Sequence, residues 1–119
     1  MQYLLLIYND EKSLNESERQ KCYQESTALA HDLHARGKYL AAAPLHLTST
    51  AKSVRVRNET RFTTDGPFAE TREQLGGYFL IDARDLDEAI EIAAQIPMAR
   101  QGTIEVRPVI EIPNLPKAS

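Results

Sequence analysis

Asp65-Gly66-Pro67-Phe68 sits inside the stretch TDGPFAETREQLGGY, Thr64 to Tyr78. It holds the residue types that acid/base chemistry uses. A carboxyl beside apolar Pro67 and Phe68 could be desolvated, the condition under which a carboxyl serves as a general acid or base near neutral pH. Gly66 tolerates φ > 0 and Pro67 fixes φ near −65°, so Asp65 is expected at the mouth of a rigid turn. An ordinary tight turn asks for the same residues, because Asp accepts hydrogen bonds from the amides just ahead of it. Both readings stand: a working carboxylate, or a structural turn in which Phe68 and Tyr78 pack a seam.

Other side chains are arranged around the chemistry such a carboxylate would do. Arg57 and Arg72 are candidates for holding a carboxylate or phosphate bidentately, with Phe68 and Tyr78 as apolar walls; Arg55 and Arg57 could equally pair with Glu59, Glu70 or Glu73 on a solvated face. His34 falls on the flank of a helical stripe together with Tyr23 and Thr27, a position that can overhang a cleft at a sheet edge, whereas His31 falls opposite the stripe. The three histidines, His31, His34 and His46, show no third ligand at metal-binding spacing. Cys22 lies within the apolar pattern without a basic neighbour to activate it, and reads as a core residue. The sequence contains no glycine-rich nucleotide loop, CxxC pair, HExxH or GxSxG, so no cofactor or metal is expected.

These residues need a scaffold, and 119 residues suffice for one domain. A formal net charge of −3 lacks the basic surface that contact with a phosphate backbone requires, which argues against nucleic acid as a partner. One cysteine allows no internal disulfide, and MQYLLLIYND has neither the basic region nor the apolar run of a leader or membrane helix. A cytoplasmic protein with no membrane contact is expected.

Along the chain, Gln2 to Tyr8 reads as a strand with both faces apolar. Glu16 to Arg36 keeps helical period, with Cys22, Ser26, Leu29, Ala30 and Leu33 toward the core, a start near Ser13, Asn15 or Ser17, and Gly37 as its stop. Tyr39 to Ala43 is a second strand, broken at Pro44-Leu45. Ala51 to Arg57 is a third, with Arg61 to Thr64 as a short extended lead into the central motif. Gly77 to Ala83 is apolar on both faces, and Gly76-Gly77 permits a bulge or a close backbone approach. Asp85 caps a helix whose apolar face is Leu86, Ala89, Ile90, Ala93 and Ile96, and the final strand runs from Gly102 to Ile112, with Pro108 marking an edge. Residues 1–112 form the domain and 113–119 a tail. This order predicts a ferredoxin-like β-α-β-β-α-β sandwich in the α+β class, with one extra strand and two helices on one face of an antiparallel sheet. Two strands apolar on both faces require a second cover, and another copy of the chain is the simplest source, so a homodimer is expected.

The motif, continued through Ala69-Glu70-Thr71-Arg72-Glu73-Gln74-Leu75-Gly76-Gly77-Tyr78, resembles the signature of the DGPF-domain proteins, a branch of the YCII-related family. Pro44-Leu45, Ser53 to Arg57, Asp85 to Ile90 and Gly102 to Val109 extend the resemblance over nearly the whole chain. It implies a dimeric α/β barrel and a His/Asp-centred site like that of small lyases or hydrolases acting on organic acids or chlorinated aromatics. Counting back from Gly37, the family's helix histidine falls on Ser26, so the implied site is Asp65 helped by Ser26, His34, Tyr78 or an arginine. The resemblance also implies an association with extracytoplasmic-function sigma factors, and hence the alternative of a regulatory or ligand-binding protein without catalysis.

Overall fold

The computed structural model describes residues 1–116; the end of the expected tail, Lys117 to Ser119, lies outside them. Six strands and two helices form in the order β1 (Gln2–Asn9), α1 (Glu16–Ala35), β2 (Tyr39–Pro44), β3 (Lys52–Arg57), β4 (Thr60–Asp65), β5 (Gln74–Asp82), α2 (Leu86–Gln95) and β6 (Thr103–Pro108). β2, β5, β1 and β6 make one antiparallel sheet in that spatial order, while β3 and β4 pair only with each other. Setting the β3–β4 hairpin aside leaves the ferredoxin-like β-α-β-β-α-β order. The expected extra strand is thus one half of a separate arm: Arg61 to Thr64 is a full partner for β3, and neither strand joins the main sheet.

The helix ends follow their sequence signals. Asn15 caps α1 in a capping box, its Oδ1 accepting from the Glu18 amide at 2.8 Å while Glu18 Oε1 accepts from the Asn15 amide at 3.0 Å. Asp85 caps α2 in the same sense, accepting from the Glu88 amide at 2.9 Å. Gly37 ends α1 at φ +73°, where any Cβ would be strained.

The core lies on one side of the sheet. Tyr3, Leu5, Phe79 and Ile81 point inward and are buried against Ala89, Ile92, Ala93, Ile96 and Met98. α2, which sits beside β6, supplies three buried side chains, whereas the twice-longer α1, beside β2, supplies Leu33 alone. Each fully buried aliphatic side chain contributes about 1.5–3 kcal/mol, so the fold is held chiefly through α2 and the sheet, with α1 pinned near its C-terminal end. On the other face, Leu4, Leu6 and Leu80 are half-buried and Leu40 is exposed, uncovered by any element of the chain.

The glycine pair does what its position suggests. β1 and β5 slip register between Ile7 and Tyr8, leaving Gly76 as the bulged residue. Gly77 brings β5 so close to β2 that a Cβ would stand 2.9 Å from the Ala43 carbonyl oxygen. β6 is an edge strand, as Pro108 requires, but it ends there: Ile110 and Ile112, expected to continue it, are exposed beyond the sheet. No helix among the described residues is long and apolar enough to cross a membrane.

Candidate functional site

Between α1 and the sheet lies a cavity of about 470 Å³. Its floor is apolar, formed by Ile7, Ala42, Phe79, Ile96 and Met98. Its roof is the underside of α1, where Arg19, Tyr23, Ser26, Thr27, Ala30 and His34 recur at the three- and four-residue spacing of one helix face. A helix face laid over an apolar sheet is ordinarily apolar itself. This one carries a guanidinium, a phenol, two hydroxyls and an imidazole, so on this side α1 stands off the sheet, while Leu33, with partly buried Cys22, Leu29 and Ala30, packs it against the core. The mismatch between the two walls keeps the cavity open.

Several of these polar groups are free to meet a ligand. Thr27 Oγ1 is spent on the Tyr23 carbonyl at 2.7 Å, but the side chains of Tyr23, Ser26 and His34 make no hydrogen bond among the described residues. The His34 ring stands edge-on to Tyr39 with centroids 6.2 Å apart. His31, expected in solvent, is exposed yet borders the same cavity. Cys22 also lines it, and burial pushes its thiol pKa up, helped by the Glu25 charge, which keeps the sulfur protonated and a poor nucleophile. Ser26 and His34 are eight residues apart on one helix, roughly 12 Å along its axis, too far for a serine to pass its proton to that histidine directly.

The DGPF segment stands elsewhere. Asp65 ends β4 on the arm with its side chain 88% exposed and ion-paired with Lys52, and it does not line the cavity. The expectation of a cleft around Asp65 is therefore not met within one chain: its carboxylate sits in open solvent, away from any apolar enclosure. Nor do backbone amides hold it. The turn depends on Gly66, at φ +92°, whose amide donates to the Ala51 carbonyl at 2.8 Å and whose carbonyl accepts from Ser53 Oγ at 2.8 Å. Phe68 is 76% exposed beneath the Arg55 guanidinium, 4.7 Å from its ring centre. The expected ion pairs of Arg55 and Arg57 with Glu59, Glu70 or Glu73 do not form; Arg57 reaches only the Val56 carbonyl, and Arg72 is exposed without an acidic partner among the described residues. Tyr78 borders the cavity at its rim, since alternation with buried Phe79 turns its ring to the opposite face. His46 belongs to a second hollow at the foot of the arm, with Tyr8, Leu45, Leu47 and Leu75.

Of the candidates read from the sequence, the structure therefore brings Ser26 and His34 into one cavity, with Tyr78 at its edge, and leaves Asp65, Arg57, Arg72 and Phe68 outside. Tyr23 and Thr27 were legible as neighbours of His34. Arg19 and Tyr39 were not recognised, although Arg19 lies one helical turn before Tyr23 on the stripe that continues to His34. Among the described residues no three metal-binding side chains come together.

With its antiparallel sheet, two helices on one face and a roofed cavity, the chain has the α+β ferredoxin-like architecture. Its sequence matches the model of the YCII-related domain over residues 1–113, and the chain belongs to that family. An uncharacterised protein of Rhizobium meliloti (strain 1021) is 36% identical over 114 residues, covering 92% of each chain. The solved structure of 5-chloro-2-hydroxyhydroquinone dehydrochlorinase (TftG) from Burkholderia phenoliruptrix AC1100, in complex with 2,5-dihydroxybenzoquinone, superposes with a TM-score of 0.56, covering 92% of this chain and 94% of that one; at 16% identity it is a likeness of fold.

Proposed function

We propose that this protein binds a small, largely apolar organic acid in the cavity between α1 and the sheet and performs acid/base chemistry on it, of lyase or hydrolase type. The observation that carries the reading is the polar underside of α1 over an apolar floor, a local arrangement that lowers packing quality and is expected where a site, not a core, is being built. Histidine is the side chain suited to proton transfer near neutral pH, which makes His34 the candidate acid or base, with the Tyr23 and Ser26 hydroxyls as hydrogen-bonding partners for the substrate. The dehydrochlorinase of like fold supports the reading to the extent that its structure holds a small ring compound.

Thermal melts of wild type, Ser26→Phe and Asp65→Asn against a panel of aromatic and aliphatic acids test this. A ligand present at a hundred times its Kd stabilises by about 2.7 kcal/mol, a shift on the order of 10 °C for a domain of this size. The expected result is stabilisation of wild type and Asp65→Asn and none of Ser26→Phe, whose ring fills the cavity. Stabilisation lost in Asp65→Asn but kept in Ser26→Phe would return the site to the DGPF turn.

A homodimer is proposed with this site. The uncovered Leu4, Leu6, Leu40 and Leu80 face, and an arm with Val54, Val56 and Phe62 all more than half exposed, each favour a partner surface. The arm carries Lys52, Arg55, Arg57 and Arg61 against only Glu59 and Asp65, while the whole chain is net −3, so the rest of a second copy is acidic and complements it. In such a dimer Asp65 acts in chemistry only if the arm reaches the partner's cavity. Light scattering of the purified chain decides it: a monomer at tens of micromolar would remove the second copy and leave the exposed arm as the docking surface for the regulatory alternative, a sigma factor.

A further inference from the structure

Among the described residues Arg19 is the only lysine or arginine lining the α1 cavity, and its side chain is 19% exposed. Its Nη2 donates to the Glu11 carbonyl at 3.3 Å, and its Nη1 lies 3.3 Å from Glu16 Oε2 on a side chain that is 73% exposed. Both contacts are long, and an ion pair with so exposed a partner is weak. Among the described residues one carboxylate lines the cavity, that of Glu11, and it is turned to Thr48 instead of Arg19, its two oxygens accepting from the Thr48 amide at 2.8 Å and the Thr48 hydroxyl at 2.6 Å. The backbone carbonyl thus orients Arg19 while leaving guanidinium N–H donors unspent at the cavity wall.

We infer that Arg19 is the residue that recognises the ligand's charge: the cavity takes an elongated monoanion, its carboxylate held bidentately at the N-terminal end of α1 and its apolar body lying along the helix. This rests on the reading of the cavity as the binding site and names its ligand class. The length follows from the helix. Tyr23 and Ser26 lie roughly 6 and 10 Å from Arg19 along the axis, and His34 roughly 22 Å. A short-chain aryl acid anchored at Arg19 reaches the two hydroxyls but not the imidazole, whereas only a long-chain arylalkanoate presents its far end to His34 while its middle covers Ile7, Ala42 and Phe79.

Calorimetric titration of phenylalkanoates of increasing chain length, and of their neutral carboxamides, into wild type, Arg19→Met and Arg19→Lys tests the assignment. In wild type each acid should bind at least tenfold tighter than its amide, with affinity rising along the series. Arg19→Met should bind acid and amide alike, Arg19→Lys should keep part of the preference because the charge remains without the planar fork, and Glu16→Gln, which removes the exposed competitor, should tighten the acid a few-fold. Circular dichroism melts of the variants show that each is folded. An acid preference that persists undiminished in Arg19→Met, or amides that bind wild type as well as acids, overturns the role of Arg19 while the cavity stands, provided Ser26→Phe still blocks binding. If no member of either series binds, the cavity reading and this inference fall together.

Discussion

The cavity under α1 and the β3–β4 arm make an instructive pair. The arm carries nearly everything in this chain that looks like a motif, yet every residue of β4 is exposed and its aspartate is solvated. The cavity is roofed by a helix with no motif at all, and there polar side chains, some of them exposed, meet an apolar floor in a half-open cleft. A short motif specifies backbone geometry, as Gly66 shows; enclosure is a property of how elements stack, and that is where the electrostatics of a site are set. The arm also explains the protein's extension. Its radius of gyration is 16.0 Å, against about 13.5 Å for a compact chain of this length.

The largest expected effect breaks the cavity half. Leu33 is fully buried and is the one buried anchor of α1, so Leu33→Ala should cost about 2–5 kcal/mol in urea unfolding and release the roof. A loss below 1 kcal/mol would mean that the helix is held some other way. The arm should behave in the opposite manner. Val54→Ser with Val56→Ser should leave the stability of the isolated chain within about 0.5 kcal/mol, as exposed sites do. If a second copy covers those valines, the same double change costs association on the order of 2 kcal/mol or more, seen in sedimentation as dissociation at concentrations where wild type stays paired. An unaltered sedimentation profile would leave the arm in solvent.

The smallest effect concerns the clamp that ties the end of α1 to α2. Lys38, just past Gly37, pairs with Glu88 at 2.9 Å. The backbone amide of Arg84 donates to the Glu88 carboxylate, and with the Lys38 ammonium it holds the Glu88 pKa below its ordinary value of 4.5. The folded chain therefore binds fewer protons there than the unfolded one. The stabilisation is complete above pH 4.5 and is lost as the pH falls through the lower folded value. Melting temperature plotted against pH should fall less steeply below pH 4.5 in Glu88→Gln than in wild type; parallel acid limbs would show that the clamp adds nothing.

How much of this was legible in the sequence differs between the same two regions. β1, β5 and the α2 cap were readable because two-sided apolar runs and Asp-x-x-Glu spacing act locally, whereas three polar residues competed for the start of α1 and the structure selects Asn15. The arm was half readable: Asn58-Glu59 signalled a turn, but the alternation Val54, Val56 fits a strand in any sheet and does not say which strand it joins. Asn58 and Glu59 both adopt positive φ, the mirror-type turn that closes a two-residue hairpin, and that local pairing draws β4 away from the main sheet. In the cavity, His34 stands on the flank of α1 where its spacing puts it, while Arg19 is not legible from periodicity, which reports the apolar stripe of a helix and not a polar one facing a cavity. Asp65 drew attention for its neighbours in sequence, and its neighbours in space turned out to be Lys52 and water-accessible surface.

The stripe along the underside of α1 has a bearing on how such a protein can diversify. Arg19, Tyr23, Ser26 and His34 lie outside the buried core, so replacing any of them removes less folding free energy than a change at Phe79 or Ile96, which disturbs the core that holds the sheet to α2. Drift in descendants of this chain is therefore tolerated along one helix face, and a new chemistry can be tried there by single substitutions without first securing a compensating gain in stability.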